Sequence, residues 1–204
     1  MSRSSDLLAQ VRALLGTRLS PESIAHSERV ALSAVLLARR FGVDEGHAEL
    51  AGLLHDGARD ETDEALLALA DKLGVPLTPF ECEHPRLLHA RVGAALARRD
   101  IPTIGEAVIS AIEVHTVGGL PMSDLDKVVY LADMIEPARD FEGVESLRSA
   151  CQTLALSECF RLGYGRSVRY ILARGLPLHP ISTAVGAAVE RETGRALFDP
   201  AEVA

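Results

Sequence analysis

Leu53-Leu54-His55-Asp56-Gly57-Ala58-Arg59-Asp60 decides how this sequence is read: an apolar helical segment closes on an adjacent histidine and aspartate, with an arginine three residues after the aspartate. Such a pair alone is weak evidence. Its weight comes from His26 upstream and from His89, His115 and Asp133 downstream, each set in a segment that otherwise reads as a buried helix.

The helix that ends in this stretch starts at about Asp44, and glycine in Asp56-Gly57 permits the turn that stops it. Before it, Ser20-Pro21 supplies an N-cap and a first-turn proline for a helix running to the breaker Phe41-Gly42. His26 stands one turn before Val30 on that helix and so faces inward. A shorter helix over residues 5–15 precedes both.

After the stretch, spacing predicts a helix from Asp63 to Leu73, then a long surface loop from Pro76 to Pro85, where three prolines fall in ten residues. Leu87 to Ala97 resumes helical spacing and carries His89, with Gly93 one turn later allowing a close approach. The capping box Thr103-x-x-Glu106 opens the next helix, which ends at His115 before a Gly118-Gly119-Leu120-Pro121 turn. Ser123-x-x-Asp126 opens a central helix, apolar around most of its circumference, on which Asp133 is costly unless paired or metal-bound. A connection over 137–145 leads to helices at Leu147–Tyr164, Ser167–Arg174 and Ser182–Gly194. No strand pattern or repeat interrupts them. The expected fold is all-α: an N-terminal helix within residues 1–19, a catalytic domain over 20–175 and a tail over 176–204 packing on or extending it.

At 204 residues and 48% hydrophobic, the chain suffices for one substantial core. A net charge of -8 argues against bulk nucleic acid as a partner, yet leaves room for a small phosphorylated ligand, since metal ions and local arginines reverse the sign inside a pocket. No signal sequence precedes the first helix, and no uncharged apolar run approaches the ~20 residues that span a bilayer. A cytoplasmic protein without membrane attachment is expected. Three cysteines without Cys-x-x-Cys spacing indicate neither a disulfide framework nor a thiolate zinc site.

The buried-looking polar residues are of one chemical kind: His26, His55, Asp56, His89, His115 and Asp133. Imidazoles and carboxylates together suit Fe, Mn, Co or Zn. Six such groups exceed the need of one tetrahedral ion and indicate two, with Asp56 as the natural bridge because a carboxylate has two oxygens. Adjacent helical residues diverge by about 100°, so His55 and Asp56 converge only where their helix is ending. The His-x-x-x-His pattern of zincin helices is absent.

In this order, His26, His55-Asp56, His89, His115 and Asp133 resemble the HD-domain metal-dependent phosphohydrolase superfamily. Longer strings resemble its YqeK branch of symmetrical diadenosine tetraphosphate hydrolases: His55-Asp56-Gly57-Ala58-Arg59, His84-Pro85-Arg86-Leu87-Leu88-His89-Ala90 and His115-Thr116-x-Gly118. The most specific string is Lys127-Val128-Val129-Tyr130-Leu131-Ala132-Asp133-Met134-Ile135-Glu136-Pro137-x-Arg139. The resemblance covers residues 20–170 and implies an HD-type helical bundle.

It further implies that His26, His55, Asp56 and Asp133 hold one divalent metal while Asp56, His89 and His115 contribute to a second, iron being the leading candidate and manganese or cobalt the alternatives. A metal-activated hydroxide would then cleave a dinucleoside polyphosphate, yielding two ADP from diadenosine tetraphosphate. Asp56, Arg59 and Lys127 are the expected catalytic residues, and Arg59, His84, Lys127 and Arg139 the expected contacts to substrate, in a possible homodimer. The chain departs from the branch in two places: Arg59 stands where lysine is usual, and Gly118-Gly119-Leu120-Pro121-Met122-Ser123 lacks the arginine usual in that turn. Beside these roles stand plainer ones, with Lys127 pairing with Asp133 or Glu136 and Arg139 locking its own loop. Two other functions remain open: an HD-type phosphohydrolase acting on deoxynucleoside triphosphates, and a nonenzymatic nucleotide- or metal-binding module.

Overall fold

The computed structural model describes residues 3–198; residues 1–2 of the expected N-terminal helix and 199–204 of the expected tail lie outside the described residues. Among the described residues the regular structure is entirely helical: α1 (Arg3–Leu15), α2 (Pro21–Phe41), α3 (Glu45–Leu54), α4 (Asp63–Leu73), α5 (Pro79–Glu83), a 3₁₀ turn (Pro85–Leu87), α6 (Leu88–Asp100), α7 (Glu106–Val114), α8 (Asp124–Ile135), α9 (Val144–Thr153), α10 (Leu156–Ala173) and α11 (Pro180–Thr193).

Helix starts follow from short polar side chains that take up the free first-turn N–H groups. Ser20, Asp44 and Thr62 accept from the backbone of Ser23, His47 and Ala65 to open α2, α3 and α4. Ser123 and Asp126 form the expected reciprocal box at α8.

Three expectations are corrected. The loop expected over 76–85 holds a short helix: Thr78 and Glu81 form a full capping box, and Pro79 and Pro85 occupy the first turns of α5 and the 3₁₀ turn. Proline there begins a helix rather than breaking one, because the N–H it lacks has no partner in a first turn. The Thr103–Glu106 box does not form, since α7 opens two residues later at Gly105 and the Glu106 carboxylate pairs with Arg98. Finally, the break expected at 164–167 falls at 154–155, and α10 runs unbroken through Tyr164.

The core is built where α2, α3, α7 and α8 cross, around Val30, Leu53, Ile112, Val128 and Leu131, all fully buried. α3 approaches α2 closely at Gly52, where a Cβ would stand 2.7 Å from the Ala31 Cα. A smaller apolar cluster of Leu66, Leu88, Val92 and Leu96 joins α4 to α6, while α10 and α11 pack together beside α8. No helix of the described residues is long and apolar enough to cross a membrane.

Candidate metal centre

α3 ends at Leu54, and His55, Asp56 and Gly57 follow in a tight turn in which the Gly57 and Arg59 N–H groups bond to the carbonyls of Leu54 and Asp56. The glycine does not adopt the positive φ expected of a turn former. Four hydrogen bonds fix the turn instead. Asp60 accepts from the Ser20 N–H at 2.6 Å and the Ser23 hydroxyl at 2.7 Å, tying it to the start of α2. From the other side Arg86 donates to the carbonyls of Arg59 and Glu61, both at 2.9 Å.

The two Asp56 oxygens divide the histidines. Oδ2 lies 3.4 Å from His55 Nε2 and 3.6 Å from His26 Nε2. Oδ1 lies 3.2 Å from His89 Nε2 and 3.5 Å from His115 Nε2. Asp133 joins the first group, with its Oδ1 3.1 Å from His26 Nε2 and 3.9 Å from His55 Nε2. His26, His55 and Asp56 thus form one group able to hold an ion and Asp56, His89 and His115 another, sharing Asp56, with Asp133 beside the first.

The four imidazoles are held in one tautomer. His55, His89 and His115 each donate Nδ1–H to the carbonyl three residues earlier, those of Gly52, Arg86 and Ile112, at 2.6–2.7 Å. His26 Nδ1 instead meets Glu136 Oε1 at 3.2 Å. Every Nε2 is thereby left with a lone pair facing the carboxylates, the disposition of a metal-ligating histidine whose far nitrogen is fixed by a hydrogen bond. His55 Nε2 and Asp56 Oδ1 are buried without a hydrogen-bond partner, and the Nε2 atoms of His89 and His115 face each other at 3.3 Å. Unpaired buried acceptors and opposed lone pairs are costly unless a cation lies between them. The donor set fits two divalent ions, and its hard oxygens and borderline nitrogens suit a first-row metal.

Protons compete for the same atoms. Burial works against charge on His55, but Asp56 and Asp133 outweigh it and push its pKa up to about 9. His115, whose burial is not offset, is pushed down. Burial likewise opposes ionisation of Asp56, which the surrounding imidazoles nonetheless hold below the usual carboxylate range; His26, His55 and Arg139 do the same for Asp133.

The expected substrate-contacting residues separate. Arg59 is exposed at the rim, its Nη1 3.4 Å from His89 Nε2. Arg139 bonds through Nε to the Asp133 carbonyl at 2.9 Å and through Nη2 to its carboxylate, so it braces a ligand and locks its loop together. His84 lies in the wall of an adjoining cleft. Lys127 is a correction: it is buried with Nζ 2.5 Å from Glu192 on α11, and neither reaches the centre nor pairs with Asp133 or Glu136. Six residues on one helix amount to about 600°, which sends Lys127 and Asp133 to different faces.

Sequence reasoning gave no site role to Glu136, Arg29, Arg86 or Thr116. Glu136 accepts from Arg29 at 2.6 Å as it holds His26, and Thr116 Oγ1 stands 3.2 and 3.1 Å from the Nε2 atoms of His89 and His115. A signal existed for Arg29, one turn after His26 on the same face. The others are fixed by tertiary contacts that spacing does not encode.

The HD domain family profile matches residues 23–138. The chain is 32% identical over 168 residues to a Bacillus subtilis protein named bis(5'-nucleosyl)-tetraphosphatase, symmetrical, covering 82% of this chain and 89% of that one. A Halalkalibacterium halodurans protein of the same name is 33% identical over 172 residues, covering 84% and 90%. Among solved structures, one described as a predicted HD superfamily hydrolase involved in NAD metabolism, from Clostridium acetobutylicum, superposes with a TM-score of 0.81 at 32% identity, covering 86% of this chain and 93% of that one.

Proposed function

We propose, from the premise that this chain belongs to the HD-domain superfamily and within it to the family of symmetrical bis(5'-nucleosyl)-tetraphosphatases, that it hydrolyses diadenosine tetraphosphate at the central anhydride to give two ADP. The observation that supports this most is the division of Asp56, one oxygen toward His26 and His55 and the other toward His89 and His115. A carboxylate so placed suits a bridge between two divalent ions.

His26, His55, Asp56 and Asp133 would hold one ion, and Asp56, His89 and His115 the other, iron first and manganese or cobalt as alternatives. Bound there, a cation pair supplies Lewis acidity toward phosphoryl oxygens and activates water near neutral pH. The chain's own residues do the rest. Nδ1 hydrogen bonds hold the imidazoles in the ligating tautomer and orientation. Arg59, exposed beside His89, offers a guanidinium to the negative phosphate chain. Arg139 is occupied with Asp133, which makes it a positioning residue that keeps this carboxylate ionised. ADP is a good enough leaving group that its departure needs no dedicated acid.

Product analysis tests the reading. Protein stripped with chelator and reloaded with iron, manganese or cobalt is incubated with diadenosine tetraphosphate beside a panel of deoxynucleoside triphosphates. ADP as sole product, in proportion to bound metal, is expected. ATP plus AMP, or consumption of another nucleotide alone, would overturn the substrate while leaving the metal centre standing.

A further inference from the structure

Next to the metal centre lies a cleft of about 370 Å³. Phe80 and His84 of the α5 segment, Tyr164 of α10 and His179 from the connection to α11 line it. Thr116, Tyr130 and Ser167 line both this cleft and the small pocket that holds His89, His115 and Asp133, so the two are continuous. The Phe80 and His84 rings are 4.5 Å apart at 51°, and His179 meets Phe80 edge to face at 5.3 Å.

The structure gives His179 two distinct nitrogens. Nδ1 accepts the Ile181 N–H at 3.2 Å and so caps α11. The ring proton therefore sits on Nε2, which is buried and has no hydrogen-bond partner. Burial pushes the imidazole pKa down, so the ring is neutral and this N–H is a plain donor. A buried donor without an acceptor is costly, and no group of the described residues accepts from this one.

We propose that this cleft seats one nucleobase of the substrate, stacked on Phe80 and His84, with His179 Nε2–H donating to an acceptor nitrogen on the base. Aromatic rings around an unpaired neutral donor suit a flat heterocycle with ring-nitrogen acceptors. Phe80 meets the His179 ring edge to face, so on this proposal it is the ring that shifts to admit the base. His179 lies beyond the stretch matched by the HD profile, so the part of the chain after the shared domain contributes the donor that reads the base. The assignment rests on the dinucleotide reading above.

Two substitutions separate the nitrogens. Asparagine places a side-chain oxygen near Nδ1 and keeps the cap, whereas glutamine reaches the Nε2 position and keeps the donor. Equilibrium binding of ADP and of pyrophosphate is measured on metal-matched wild type, His179→Asn and His179→Gln. Wild type should favour ADP, His179→Asn should weaken ADP about tenfold with pyrophosphate unchanged, and His179→Gln should restore it. Equal wild-type affinity for ADP and pyrophosphate, or undiminished ADP binding by His179→Asn, would overturn the base seat. If ADP binding follows the expected pattern but wild type leaves diadenosine tetraphosphate intact, the catalytic reading fails and the seat remains.

Discussion

Asp56 is the one residue whose two ends answer to different partners, and replacing it by asparagine tests that division directly. The amide would keep the shape of the carboxylate but lose its charge and offer only one oxygen. We expect Asp56→Asn to bind fewer than half the metal equivalents of wild type by elemental analysis and to lose at least about a hundredfold in turnover; full occupancy would show that the carboxylate is not a bridge. Arg59→Ala should retain metal and lower turnover on polyphosphates about tenfold, because the guanidinium touches the centre only at its rim. The six candidate ligands were legible in the sequence because each is a costly polar group in an apolar helical segment, and burial of such groups calls for a partner. Glu136 and Thr116 were not, since a glutamate before a proline and a threonine after a histidine look like surface residues until the fold brings α2 and α6 against them. Lys127 misled for the opposite reason: it sits in a telling string, but its side chain leaves the helix toward Glu192.

Among the elements, the approach of α2 and α3 sets the distance between His26 and His55, and Gly52 sets that approach. Gly52→Ala forces its methyl against the Ala31 backbone, and overpacking of this kind costs about 1–3 kcal/mol. The expected result is a lower thermal midpoint together with weaker metal retention, because Gly52 also accepts the His55 Nδ1–H. Unchanged metal affinity in a destabilised Gly52→Ala would mean that the helix spacing does not govern the site. Most helices were legible through their caps, as at Ser20, Asp44 and Ser123. Capping chemistry also explains what was missed at 76–85: Thr78-x-x-Glu81 carries the same signal as Ser123-x-x-Asp126, but neighbouring prolines read as breakers conceal it. Thr103 shows the converse, a matching pattern that goes unused because Arg98 claims Glu106.

For the molecule as a whole, the metal centre joins α2, the turn after α3, α6, α7 and α8, so its occupancy and global stability are linked. Ions that bind only the folded chain stabilise it by about 2.7 kcal/mol at a hundredfold excess over Kd. Chelation should therefore lower the thermal midpoint by several degrees, and re-addition of metal should restore it. The sign of the pH dependence distinguishes the two forms. In metal-free protein His55 is raised from its ordinary value to about 9 by Asp56 and Asp133, so its contribution to stability is complete below pH ~6.5 and disappears as pH rises through about 9. With metal bound the ligating nitrogens need no proton, and each proton lost from the competing imidazoles favours the ion. Between about pH 6.5 and 9 the metal-free midpoint should fall while the metal-induced increment grows, and His55→Gln should flatten the first trend and abolish most of the second. Parallel pH curves for the two forms would show that protons and metal do not contend for His55, and the shared-atom account of the centre would fall with that result.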